Sequence, residues 1–149
     1  MPMSTYSFTL NPNNKVLTQQ SVNQWNEILQ KARMSLFGHQ WQNAVNLYWR
    51  AYTMAEPLLK NSPCKNCATK GYVRTLIEMA YALCKNHQHE KLAAIIQLAQ
   101  PTWATHLSAP LAKELIAMVS NISNAPIADT DVWIEKLFAM DEAITQPLH

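Results

Sequence analysis

Trp25-Asn26-Glu27-Ile28-Leu29-Gln30-Lys31-Ala32, a polar turn at Gly38-His39-Gln40, then Trp41 through Ala55: the reading of this stretch decides the fold. A helix-sized apolar segment meets a second one across a few polar residues. A second version follows, with Leu76 through Leu83, a turn at Asn86-His87-Gln88, then Leu92 through Ala99. Ala32, Ala44, Tyr48 and Ala51 recur as Ala80, Leu92, Ile96 and Ala99, each displaced by 48 residues. Repeated helical hairpins more often make binding surfaces than active sites, because each unit covers its apolar face by stacking on the next.

Outward from this core, the periodicity predicts about six antiparallel helices in stacked hairpins, an all-α chain. The first helix opens at Gln20 or Ser21 and runs to about Phe37, burying Val22, Trp25, Ile28 or Leu29, Ala32 and Leu36. Gly38 is the expected left-handed residue that ends it. The second runs from Gln40 to about Lys60, and Trp49 and Leu47 widen its stripe enough to imply a sandwiched helix. The third takes over near Thr69 and buries Val73, Leu76, Ile77, Ala80, Leu83 and Cys84; the fourth spans Glu90 to about Gln100, where Pro101 stops or kinks it. Ser108 and Pro110 open a fifth helix carrying Leu111, Leu115, Met118, Val119 and Ile122. A sixth begins with Asp129 and Asp131, at an end where the helix dipole favours carboxylates, and buries Trp133, Leu137, Met140 and Ile144. Residues 1–18 read as an extended arm and residues 19–149 as a single helical domain.

The hairpins resemble the tetratricopeptide repeat family. Its pattern has a small residue in the first helix, a turn, then alanine, a bulky residue four on, and alanine three further. Ala32, the Gly38-His39-Gln40 turn, Trp41, Ala44, Tyr48 and Ala51 match, with Pro57 near the unit's close. The second unit matches through Ala80, Leu92, Ile96 and Ala99, although Leu92 stands where a small residue belongs. The spacing of 48 residues exceeds the family's roughly 34, and the resemblance covers residues 21–100. It implies a right-handed superhelix of a small bacterial protein, with peptides bound on the inward faces of the first helices of successive units. Carried over, those faces present Asn26, Arg33 and Leu36, then Arg74, Tyr81 and Lys85. The arginines and Lys85 would hold an acidic group, since guanidinium forks match carboxylates. The family's carboxylate-holding asparagine and lysine pattern is not reproduced.

Composition narrows the function classes. Only Gly38 and Gly71 are glycines, which argues against glycine-rich phosphate loops. No apolar run approaches the roughly 18 residues of a membrane span, and Met1 to Asn14 shows no signal-peptide pattern, so a cytoplasmic protein without a membrane partner is expected. The net charge of +2 divides unevenly: residues 1–100 hold ten Lys/Arg against four Asp/Glu, and residues 101–149 hold two against six. Neither half is charged enough to expect nucleic acid as a partner, but an acidic end docking on a basic one makes a homodimer an alternative.

Cys64-Lys65-Asn66-Cys67 and Cys84-Lys85-Asn86-His87 together have zinc-ligand spacing. If one helix joins them, Cys67 and Cys84 stand roughly 25 Å apart at about 1.5 Å per residue, whereas zinc-bound sulfurs lie about 4 Å apart. The helix thus opposes a single intrachain metal site. Alone, Cys64 and Cys67 are loop cysteines whose redox or metal chemistry is the remaining alternative, the first lying near a helix N-terminus that lowers thiol pKa. No catalytic motif and no cofactor signature appears. The expectation is a non-enzymatic protein–protein interaction module, adaptor or chaperone-like, that binds a peptide or protein segment in a mildly basic groove.

Overall fold

The computed structural model describes residues 12–122, which form five α-helices and no strand: α1 (Pro12–Phe37), α2 (Trp41–Asn61), α3 (Lys65–Lys85), α4 (His89–His106) and α5 (Ala109–Ser120). The expected sixth helix falls outside the described residues, as does the expected arm up to residue 11. Residues 12–18 correct that expectation, because they belong to α1. Pro12 takes the first helical position, where its missing N–H would have had no partner within the helix and its fixed φ fits.

The 48-residue repeat is visible in the backbone of the two turns. Gln40 N–H donates to Ser35 O (2.8 Å) and His39 N–H to Leu36 O (3.1 Å); Gln88 N–H donates to Leu83 O (2.8 Å) and His87 N–H to Cys84 O (3.1 Å). Both sets wrap a residue in the left-handed region, and it is a histidine each time: His39 (φ 60°) and His87 (φ 59°). Gly38 is therefore not the left-handed residue. It continues the helix, donating to Met34 O at 3.0 Å, and a Cβ there would stand only 3.3 Å from that carbonyl oxygen. Histidine is among the residues that tolerate positive φ, and His39 stacks on Trp41 with ring centroids 4.9 Å apart.

The positions expected to recur are core positions. Ala32, Ala44, Tyr48, Ala51, Ala80, Leu92 and Ala99 are buried, and Ile96 is packed against them. Small residues let α1 and α2 lie close, while the tyrosine fills the groove between helices. α2 packs on α1 and on α3, and α3 also contacts α4 and α5. α2 is sandwiched between α1 and α3 as expected, although Trp49 stays exposed, and α3 is enclosed further still, its residues from Thr75 to Cys84 all being buried.

Two element boundaries depart from expectation for identifiable reasons. α3 begins at Lys65 rather than Thr69, since the Cys64 side chain caps it by accepting from Cys67 N–H. α4 continues through Pro101 to His106. A mid-helix proline costs about 3 kcal/mol, and here the cost is met by burial of Trp103, whose indole N–H donates to Tyr72 Oη at 2.8 Å. α5 starts as expected, with Ser108 Oγ accepting from Leu111 N–H.

α1 is fastened to α3 by an aromatic clamp. The Trp25 ring lies over Gly71, where an added Cβ would come within 3.2 Å of it. Trp25 Nε1–H donates to Thr75 Oγ1 (3.0 Å), which itself donates to Gly71 O (2.8 Å).

Candidate functional site

The six residues expected to line a groove separate into three groups. Asn26 is exposed on α1. Leu36 is a correction: it is buried in the core, because the turn after α1 folds that face onto α2. Arg33 and Arg74 converge, but on a carboxylate of the protein itself. Arg33 donates from Nε to Glu78 Oε1 and from Nη2 to Glu78 Oε2, both at 2.8 Å, and Arg74 Nη1 reaches Oε2 at 3.4 Å.

Glu78 is only 3% exposed and had no place in the expected site. Its one local trace in the sequence is Arg74, four residues earlier on the same helix. Tyr48 Oη completes the arrangement by donating to Glu78 Oε1 at 2.8 Å. A buried carboxylate is tolerated only when paired and hydrogen-bonded, and this one has a bidentate arginine, a second arginine and a hydroxyl. Burial, followed by the charge and hydrogen bond of Glu78, pushes the Tyr48 hydroxyl well above its ordinary range, against the opposing pull of Arg33 and Arg74. The internal carboxylate occupies the position that a partner's acidic group was expected to take.

Tyr81 and Lys85 form the third group. They share the rim of a surface pocket of about 240 Å³ with Cys84, His87 and His89, where α3 ends and α4 begins. The Lys85 ammonium lies 5.4 Å from the centre of the Tyr81 ring, within cation–π range. Cys84 is mostly buried, and burial pushes its thiol up. Among the described residues no group of three or more His, Cys, Asp or Glu could hold a metal ion.

A second feature lies at the other end of α3. Cys64 and Cys67 are disulfide-bonded, both exposed, and fall within the cap and first turn of the helix. Cys67 N–H donates to Cys64 Sγ at 3.2 Å, and Ser62 Oγ accepts from Cys64 N–H at 3.2 Å. Cys67 also forms part of the wall of an apolar cleft of about 190 Å³ between α1, α2 and α3, with Val22, Trp25, Leu58, Gly71 and Tyr72. Because α3 carries both Cys67 and Cys84, the two halves of the zinc-like spacing are kept at opposite ends of one rod.

A second polar cluster joins α2, α3 and α4, with the Glu56 carboxylate beside Tyr52. Tyr72 Oη accepts from Trp103 Nε1–H and lies 3.1 Å from Tyr52 Oη. Burial is the main cause that raises both hydroxyls above their ordinary range. None of the described helices is long and apolar enough to cross a membrane. Compared with known protein families, curated proteins and solved structures, the chain matches none.

Proposed function

We propose that this chain is a non-enzymatic interaction module of tetratricopeptide-like helical hairpins, which binds a peptide or protein segment. The observation that carries the reading is the pair of equivalent turns 48 residues apart. Hairpins repeated in this way present equivalent helices, α1 and α3, on one side of the molecule, and such faces bind extended partners. The most suitable anchor is the pocket at Tyr81 and Lys85, with an exposed cation for an acidic group and an aromatic wall for an apolar neighbour. Arg33 and Arg74 then serve the scaffold by holding Glu78 in place. A cytoplasmic setting belongs to the same reading, and there a disulfide is a bond that forms and breaks rather than a permanent staple.

An array of defined acidic and neutral peptides, read with wild-type and Lys85→Glu protein, tests this. Binding of acidic peptides by the wild type that is lost in Lys85→Glu, with an unchanged thermal midpoint, supports the reading. Equal binding by both proteins overturns it. Self-association into a homodimer is the second reading, favoured by Met34 and Phe37, which stand exposed on α1 (76% and 67%) one turn apart. Light scattering that reports a monomer at every salt and protein concentration removes it.

A further inference from the structure

We propose that Cys64 and Cys67 form a reversible dithiol–disulfide couple that exchanges with cysteine-containing peptides bearing an apolar residue beside the cysteine. This proposal is independent of the peptide-binding reading above, because it uses the opposite end of α3.

The ring closed by the bond spans only residues 64 to 67, within the cap and first turn of one helix. A loop so short restricts the unfolded chain least of all, and the bond ties no two helices together. Stabilisation is therefore poorly served by this placement. Exchange is served well. Both cysteines are exposed, so an incoming thiolate has access. Cys64 is the N-cap of α3, its sulfur already accepts the Cys67 N–H, and the first turn holds no acidic residue. A thiolate at Cys64 would thus sit on the positive end of a 21-residue helix with a hydrogen-bond donor in place. Cys84, by contrast, is withdrawn from this chemistry by burial.

The step balances with an external thiol as reductant. A peptide thiolate attacks Cys67 Sγ, a new sulfur–sulfur bond forms there, the Cys64–Cys67 bond breaks, and its electron pair leaves on Cys64 Sγ. A second peptide thiolate then attacks the peptide sulfur of the mixed disulfide and releases Cys67, which takes up a proton. The protein gains two electrons, and two peptide thiols become one disulfide. Run in reverse, the Cys67 thiolate attacks a peptide disulfide and expels one peptide thiolate, and the Cys64 thiolate then attacks Cys67 Sγ, closing the Cys64–Cys67 bond and releasing the second. Departure through Cys64 is favoured because the better-stabilised thiolate leaves faster. The apolar cleft walled by Cys67, Val22, Trp25 and Leu58 supplies the preference for an apolar residue beside the attacking cysteine.

Two measurements on the full chain test the proposal. In reduced Cys67→Ser, the pH dependence of Cys64 alkylation should show a pKa at least about one unit below the ordinary 8.5 of a free thiol, with the same probe near the ordinary value at Cys67 in Cys64→Ser. In the wild type, Leu-Cys-Leu peptide should exchange at least about tenfold faster than Asp-Cys-Asp peptide, read by mass-spectrometric mapping of the mixed disulfide to Cys67. Val22→Glu, at the cleft wall, should abolish most of that ratio. An ordinary Cys64 pKa, or a disulfide that both peptides reduce at the same rate, overturns the proposal and leaves a passive clip.

Discussion

Two buried polar clusters hold α3, and they are built on different chemistry. Towards α1 and α2 the cluster is ionic: Glu78 receives Arg33, Arg74 and the Tyr48 hydroxyl. Towards α2 and α4 the buried members are uncharged: Trp103, Tyr72 and Tyr52 share hydroxyls and one indole N–H, with the half-buried Glu56 carboxylate beside Tyr52. In the ionic cluster the carboxylate is fully enclosed while the side chains of Arg33 and Arg74 stay 23% and 29% exposed. Losing an arginine therefore strands a charge, whereas losing a member of the neutral cluster strands only a dipole. The lesson is that the arginines on the α1–α3 side belong to stability before they belong to any partner.

The comparison breaks most visibly at Arg33. Arg33→Glu sets two carboxylates against each other and is expected to lose about 3–5 kcal/mol in urea unfolding, the cost of leaving a buried charge uncompensated. Replacing the pair together, Arg33→Met with Glu78→Leu, should recover most of that loss, because apolar substitutes for a buried ion pair are often neutral. On the neutral side, Tyr72→Phe removes the acceptor of the Trp103 N–H and is expected to cost about 1–3 kcal/mol. A Tyr72→Phe loss as large as that of Arg33→Glu would sink the distinction.

Alkaline titration sharpens it further. Tyr48, Tyr52 and Tyr72 are all raised above their ordinary 10.0, so their contribution is complete below that pH. It is lost above it, where the unfolded chain releases protons the folded one keeps. Stability measured by circular dichroism should then fall above pH 10, approaching about 1.4 kcal/mol per pH unit for each of Tyr48 and Tyr72, and Tyr48→Phe should reduce the slope by one tyrosine's share. No fall between pH 10 and 11 would contradict the burial argument. The smallest effect is expected at the turns. His39→Gly or His87→Gly relieves a left-handed residue of its Cβ and should raise stability by about 1 kcal/mol or less, seen as a higher urea midpoint.

The helical core was legible because it is periodic. The spacing of Val73, Leu76, Ile77, Ala80, Leu83 and Cys84 puts them on one face, and all are buried. The turns were legible in place but not in detail, since glycine is the usual left-handed residue and histidine took its role. What stayed hidden depends on single partners distant in the chain. Glu78 lies amid apolar residues with its main partner 45 residues away, and no local pattern announces that pairing. The repeat-family resemblance puts Leu36 in a groove, whereas its own spacing puts it on the core stripe, where it is buried. The continuation of α4 past Pro101 rests on Trp103 reaching Tyr72 across the core, a contact no window along the sequence contains.

The burial of the C-terminal half of α3 has a consequence for how the molecule opens. In an extended repeat array each unit loosens almost independently of its distant neighbours, and terminal units fray first. Here the run from Thr75 to Cys84 is exposed in full only when α1 and α2 have separated from it and α4 and α5 have lifted away. Its amide hydrogens should therefore exchange last and together, at the free energy of whole-domain unfolding. The two hairpins, alike in their turns, are joined through α3 into one cooperative unit.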